Sequence, residues 1–384
     1  MFGTTSAFGS RPGGLFSSTS SNTMGSTGFG MNSNTTSSPF GQTNTQTDPQ
    51  NPNKDIEVQH APEDTVQALK FNPQPQGSSG PIFFWRPAPG ILLVEFGKST
   101  PMDRPKRKLC KMWVLPFFHW TGSISKVFLA CADKQARVWD LASNQVTTVG
   151  QHDAPIQSCH WITSSNYSCL MTGGWDRTLR FWDMRQLPTQ QSMATIQLPE
   201  RVYCSDMIFP MAVVGLANRR VKIYKLDGTP SEVSDVESPL KYQCRSVSIF
   251  KKNGQPAGYG LGSIEGRVAI QNVETMNAKD NFTFKCHRSP DLINDIKFHP
   301  IHYTLATVGG DGRYMFWDKD SRTKLKNSEP MPKQITKCDI HQSGNIFAYA
   351  TGYDWSQGHE ANQQPTNARI FLHRADEDLK PKKK

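Results

Sequence analysis

Short runs of alternating apolar and polar residues, separated by small polar turns, recur along this chain at a regular interval. Ala130-Cys131-Ala132-Asp133-Lys134-Gln135-Ala136-Arg137-Val138-Trp139-Asp140 is echoed by Thr172-Gly173-Gly174-Trp175-Asp176-Arg177-Thr178-Leu179-Arg180-Phe181-Trp182-Asp183. The pattern returns over residues 307–318, which end in Phe316-Trp317-Asp318, and two weaker copies run from Asn218 to Tyr224 and from Glu265 to Gln271. In all five copies a polar turn residue stands six positions before a strand end. Those ends fall at 139, 182, 224, 271 and 317, spaced 43, 42, 47 and 46 apart. Alternation with a period of two predicts strands with one buried face, so the chain reads as all-β.

That spacing is the WD-repeat period, one four-stranded propeller blade per ~40–45 residues. Asp64 to Phe71 reads as the first inner strand, and a final copy runs from Ile335 to Leu372, interrupted by a polar insertion at 352–367. Seven blades at ~45 residues need ~315, and residues 55–379 provide 325. Asp55-Ile56-Glu57-Val58 is expected to add the outer strand of the last blade and so close the ring. The expected architecture is a seven-bladed WD40 β-propeller over 54–379, with a tail over 1–53 and a basic tip over 380–384.

The repeat chemistry accounts for its residue types. A short acidic side chain such as Asp176 can accept turn N–H bonds, and a buried Trp indole must find an acceptor. His152 precedes Asp176 by 24 residues, and His287 precedes Asp311 by the same 24. This predicts two internally satisfied networks: His152, Thr172, Asp176 and Trp182, and His287, Thr307, Asp311 and Trp317. These histidines are read as structural rather than as ligands or bases.

Composition adds a second region. Of residues 1–50, 32 are Ser, Thr, Gly or Asn, and the only charges are Arg11 and Asp48. Such a segment buries too little apolar surface to offset its ordering entropy and is expected to be disordered. Phe2-Gly3, Phe8-Gly9, Phe29-Gly30 and Phe40-Gly41 punctuate it, and these isolated Phe-Gly stickers resemble the FG segments of nuclear-pore proteins.

The net charge of +10 is local: residues 80–125 carry seven basic and two acidic groups, and Lys380, Lys382, Lys383 and Lys384 add four more. A global claim of nucleic-acid binding therefore does not follow from charge alone. The basic tip is read as a solubilising tail before a nuclear-localisation patch. No apolar stretch approaches the ~20 residues of a membrane helix, and the N-terminus lacks the layout of a secretion signal, so the chain is expected to be intracellular, with no membrane insertion. The eight cysteines form no C-x-x-C pair and are expected to be buried free thiols, without metal or disulfide.

Residues 80–125 break the pattern. They lack a Gly-Ser-x-Asp turn, carry three of the nine Trp, and include Lys106-Arg107-Lys108. This segment reads as a translated frame shift or mis-spliced exon rather than a divergent blade. The neighbouring blades are then expected to keep exposed edges, with lowered stability and aggregation.

Specific strings carry a family resemblance over residues 54–79 and 126–384. Leu198-Pro199-Glu200-Arg201, Met207-Ile208-Phe209-Pro210-Met211, Glu237-Ser238-Pro239-Leu240-Lys241, Leu261-Gly262-Ser263-Ile264-Glu265-Gly266-Arg267, Asp280-Asn281-Phe282-Thr283-Phe284-Lys285-Cys286-His287 and Gly352-Tyr353-Asp354-Trp355-Ser356 resemble the mRNA export factor family of WD-repeat proteins. The loop after His287 is shorter than is usual in that family, so the blade entered there is expected to be trimmed.

The resemblance implies a non-enzymatic adaptor at the nuclear pore that shuttles between nucleus and cytoplasm. Its implied partners are a hairpin-like segment of a GLFG-repeat nucleoporin and mRNA or its protein complexes, through single-stranded RNA, with a further role among mitotic checkpoint or spindle proteins. In the family, the positions matching Arg267, Phe284, Lys319, Arg322 and Lys324 line a nucleic-acid-binding groove. The residues themselves point the same way: Lys319, Arg322, Lys324 and Lys326 follow a strand-end Trp, where exposed connections carry function. Arg267 and Phe284 lie on the adjoining blade. Together they predict a basic groove with an aromatic floor, suited to phosphates and an unstacked base, or to an acidic peptide.

A mitotic-checkpoint or ubiquitin-ligase scaffold is the alternative within the same fold. An enzyme is disfavoured: there is no G-x-S-x-G, no Walker loop, and His359-Glu360 lacks the second His of a zincin motif. No cofactor is expected.

Overall fold

The computed structural model describes residues 48–58, 65–71, 82–86, 90–94, 107–110, 116–120, 126–164, 167–185, 191–274, 278–287, 292–356, 358 and 368–382, with the four short runs between 82 and 120 as backbone only. The Phe-Gly tail, the Lys383-Lys384 end and most of the 352–367 insertion lie outside the described residues. The described chain folds into seven four-stranded antiparallel sheets.

The first sheet orders β2 (Leu69–Phe71), β3 (Ile82–Arg86), β4 (Gly90–Val94) and β5 (Arg107–Cys110). The second holds β6 (Pro116–Trp120), β7 (Lys126–Cys131), β8 (Gln135–Asp140) and β9 (Gln145–Gln151). Next come β10 (Ile156–Thr163), β11 (Ser168–Gly174), β12 (Thr178–Asp183) and β13 (Ala194–Gln197). The fourth is β14 (Val202–Ile208), β15 (Met211–Leu216), β16 (Arg220–Lys225) and β17 (Ser231–Glu237). The fifth is β18 (Cys244–Lys252), β19 (Gln255–Ser263), β20 (Arg267–Asn272) and β21 (Phe282–Lys285). The sixth is β22 (Ile293–Phe298), β23 (Leu305–Gly309), β24 (Tyr314–Asp318) and β25 (Thr323–Asn327). The last orders β26 (Ile335–Ile340), β27 (Ile346–Thr351) and β28 (Arg369–Arg374), with β1 (Ile56–Glu57) as its outermost strand.

This is a seven-bladed β-propeller of the WD40 type. The five repeated strand ends all fall on the third strands of blades two to six. Blade six has all four strands, so the shorter loop after His287 does not trim it. The first inner strand is shorter than expected, three residues instead of eight, because only Leu69–Phe71 pair with β3. The segment that breaks the repeat supplies backbone for three strands of blade one and one of blade two, and β2 and β7 both have pairing neighbours there. Their edges are therefore not exposed.

Apolar packing lies between blades. Met171, Leu179 and Phe181 of blade three meet Val202, Val214 and Tyr224 of blade four, and Phe128 and Val138 of blade two meet Ile156, Leu170 and Trp182 of blade three. At the channel, carboxylates tie one inner strand to the next. Asp206 accepts the Ile249 N–H at 2.7 Å, and Asp339 accepts that of Phe71 at 2.8 Å. Asp295 faces the Cys338 N–H at 3.4 Å. The ring closes where Ile56 and Glu57 pair with Leu372 and Phe371. There the buried Asp55 takes the Tyr349 hydroxyl at 2.7 Å and His373 Nδ1 at 2.6 Å.

His152 stands with Nδ1 2.9 Å from Asp176 and Nε2 2.7 Å from the Thr172 hydroxyl, which accepts the Trp182 indole N–H at 2.8 Å. His287 lies 2.8 Å from Asp311 and 3.2 Å from Thr307, and Trp317 donates to Thr307 at 3.1 Å. Blade two differs: Leu129 pairs with Arg137 where Thr172 pairs with Arg180, so the Trp139 indole donates instead to Asn144 at 3.1 Å. Seven cysteines are free and buried, while the Cys110 thiol lies outside the described residues. Burial pushes the Cys131 and Cys169 thiols up to about 12, which leaves them poor nucleophiles.

Thr172→Val removes the hydroxyl shared by His152 and Trp182. It is expected to lower stability by about 1–3 kcal/mol, because two buried groups lose their partner; urea unfolding measures it. Burial pushes the Asp176 carboxyl up, but hydrogen bonds from His152, Thr178 and the Asp153 amide outweigh it and hold the group at about 2. Its contribution is therefore complete above the ordinary carboxylate range and lost as pH falls from about 4 through 2. Asp176→Asn is expected to flatten that part of the stability–pH curve.

Candidate nucleic-acid interface

β21 alternates, so Phe282 and Phe284 share its half-buried face while Thr283 and Lys285 are exposed. That face meets Trp317, at the end of the third strand of blade six. Phe284 packs edge-on against Trp317 with ring centroids 5.0 Å apart, and Phe282 lies 5.9 Å from Phe284. An aromatic floor thus runs along the crevice between blades five and six.

Cations lie on this floor. The turn from β24 to β25 is pinned by Asp318, which accepts the Asp320 N–H at 2.9 Å and the Ser321 hydroxyl at 2.7 Å. The pinning holds Arg322 in the left-handed region, φ 57°, with its guanidinium 4.4 Å from the Phe282 centroid. The Lys324 ammonium sits 4.9 Å from the Trp317 centroid. Both side chains belong to exposed residues. Cation–π contacts of this kind orient the charge without neutralising it.

The structure divides the remaining candidates. The Lys319 side chain is only 9% exposed; its ammonium pairs with Asp320 at 2.7 Å and lies 4.8 Å from the Phe250 centroid. Lys326 is tied to Asp378 at 2.5 Å and to His373 Nε2 at 3.2 Å, which makes it part of the blade-seven closure. Arg267 is exposed but opens β20 at the opposite end of the blade from the Arg322 turn, pairs in register with Lys285, and has Glu265 at 3.8 Å. Six strand residues separate those ends by about 17 Å. Phe284, Arg322 and Lys324 therefore form one surface with Phe282 and Trp317. Phe282 was missed by residue reading, although its alternation with Phe284 carried the signal.

The face bearing the second-to-third-strand turns holds another surface. Trp175, Ile264 and Trp355 are 41%, 37% and 37% exposed. With Tyr203 and Arg245 they line a 590 Å³ depression over the channel mouth. Arg201 lies between the Trp175 and Tyr203 rings, 5.8 and 5.7 Å from their centroids. Arg245 is held by the buried Asp354 at 3.4 Å. Sequence reading did not single out Trp175 and Trp355, because they sit in turns that carry no periodicity.

Residues 143–183 and 278–318 match the family described as WD domain, G-beta repeat. The chain is 51% identical over 377 residues to mRNA export factor rae-1 of Caenorhabditis elegans, covering 94% of this chain and 99% of that protein. The chain belongs to the mRNA export factor family. It is also similar to Protein Rae1 of Drosophila melanogaster, 48% identical over 345 residues and covering 85% and 96% of the two chains. The mRNA export factor of Danio rerio is 44% identical over 406 aligned positions, covering 100% and 99%. Membership accounts for the strings between Leu198 and Ser356 that exceed what a WD repeat requires.

Proposed function

We propose that this member of the mRNA export factor family acts as a non-enzymatic adaptor in mRNA export at the nuclear pore. In this reading it holds single-stranded RNA along the blade five–six crevice and a nucleoporin segment on the turn-bearing face. The observation that carries the RNA reading is the Phe282–Phe284–Trp317 floor with Arg322 and Lys324 upon it. Stacked bases and phosphates need that pairing of rings and exposed cations. The exposed Trp175, Ile264 and Trp355 suit the apolar side chains of a hairpin-like GLFG-nucleoporin segment. The names of the relatives support the export role, and the nucleus with its pores is the corresponding location, with shuttling to the cytoplasm.

Anisotropy of a labelled single-stranded RNA across a salt series tests the RNA reading. Arg322→Ala and Lys324→Ala are each expected to weaken binding and reduce the log–log salt slope by about 0.7. Phe284→Ala is expected to lose about 1–3 kcal/mol of affinity if a base stacks there. Lys326→Met, whose ammonium is already committed to Asp378, should leave the slope unchanged. Equal slopes in all variants contradict the RNA reading, and tighter binding of an acidic peptide than of RNA assigns the crevice to a peptide.

A further inference from the structure

The central channel holds a cluster of charges, of which Arg245 and Lys337 also line the depression at its mouth. A cavity of about 150 Å³ is lined by Lys70 from β2, Asp206 from β14, Arg245 from β18, Asp295 and Lys297 from β22, and Lys337 from β26. Its anions and cations are not equally engaged. Asp206 is bound by the Ile249 amide at 2.7 Å, and Asp295 by the Ser246 hydroxyl at 2.7 Å and the Ile296 amide at 3.0 Å.

The cations have little in return. Arg245 is 3.4 Å from Asp354, and Lys70 approaches Asp339 no closer than 3.8 Å. Among the described residues, Lys297 and Lys337 have no carboxylate oxygen within 4.0 Å and no hydrogen-bond acceptor. Burial and then the facing charge of Lys297 push the Lys70 ammonium down, so these two lysines repel across the cavity. Burial also opposes the charge on Lys297, but Asp295, Asp206 and Asp339 outweigh it and keep that group protonated.

We propose that the channel is a binding site for one small oxyanion of phosphate size, held between Lys297 and Lys337 with Lys70 and Arg245 at its margin. Two ammonium groups from adjacent inner strands line this one cavity, neither hydrogen-bonded to a carboxylate among the described residues, and they supply charge-assisted donors for such an ion. The cavity admits a single ion of that size and not a polynucleotide. Its position makes the ion a fastener: it bridges the inner strands of blades one, six and seven, next to the seam that Asp339 makes with Phe71.

The test is thermal unfolding and titration calorimetry of the full chain with inorganic phosphate at constant ionic strength, with chloride as the reference salt. The expected result is a melting temperature several degrees higher in phosphate than in chloride, and a binding stoichiometry of one. Adenosine monophosphate is the second arm: an equal shift identifies the ligand as a phosphate ester, and none identifies the free ion. Lys297→Met and Lys337→Met are each expected to lose the phosphate shift. The paired Arg322→Ala and Lys324→Ala variant should keep it, which separates the channel from the outer crevice. Equal melting in phosphate and chloride overturns the proposal, as does a shift retained in Lys337→Met, even where Lys297→Met fails to fold.

Discussion

An inner-strand carboxylate that accepts the backbone N–H of the next inner strand is the interaction through which these sheets hold their order. Asp206 does this for Ile249 and Asp339 for Phe71. Each blade alone is a four-stranded sheet with apolar surface on both faces, which only a neighbour can cover. The apolar contact is broad and tolerates sliding. The carboxylate in the channel wall fixes one register, because slipping by a residue would leave both it and an amide unpaired there.

That register sets the outer surfaces. Blades five and six are held at the channel by the Ser246 hydroxyl donating to Asp295, and further out by Phe250 against Phe298, with centroids 5.1 Å apart. The same juxtaposition brings β21 beside Trp317 and lets Arg322 lie over Phe282. The crevice is therefore a product of how two sheets meet. Closure between Asp55, Tyr349 and His373 performs the equivalent task for blade seven and takes Lys326 with it.

Much of this was legible in the residues. The strand ends at Trp139, Trp182, Tyr224, Gln271 and Trp317 marked third strands because a polar turn residue stands six positions before each, with Trp-Asp closing three of them. The two histidine networks were legible for the same reason, as each closes across a single blade boundary with constant spacing. What failed to show were contacts set by three dimensions. Lys324 and Lys326 look equivalent in sequence, yet one lies over Trp317 and the other is held by Asp378. Arg267 and Arg322 both flank aromatic strands, but stand at opposite ends of a blade. Trp175 and Trp355 occupy irregular turns, where alternation says nothing about exposure.

Ultraviolet cross-linking of 4-thiouridine RNA to the full chain, with the adducts located by peptide mass spectrometry, tests the central claim most directly. The account predicts adducts on the segment around Phe282 and Phe284 and on the segment from Trp317 to Lys324. Adducts confined to blades two to four, or no adduct that excess unlabelled RNA removes, would contradict it.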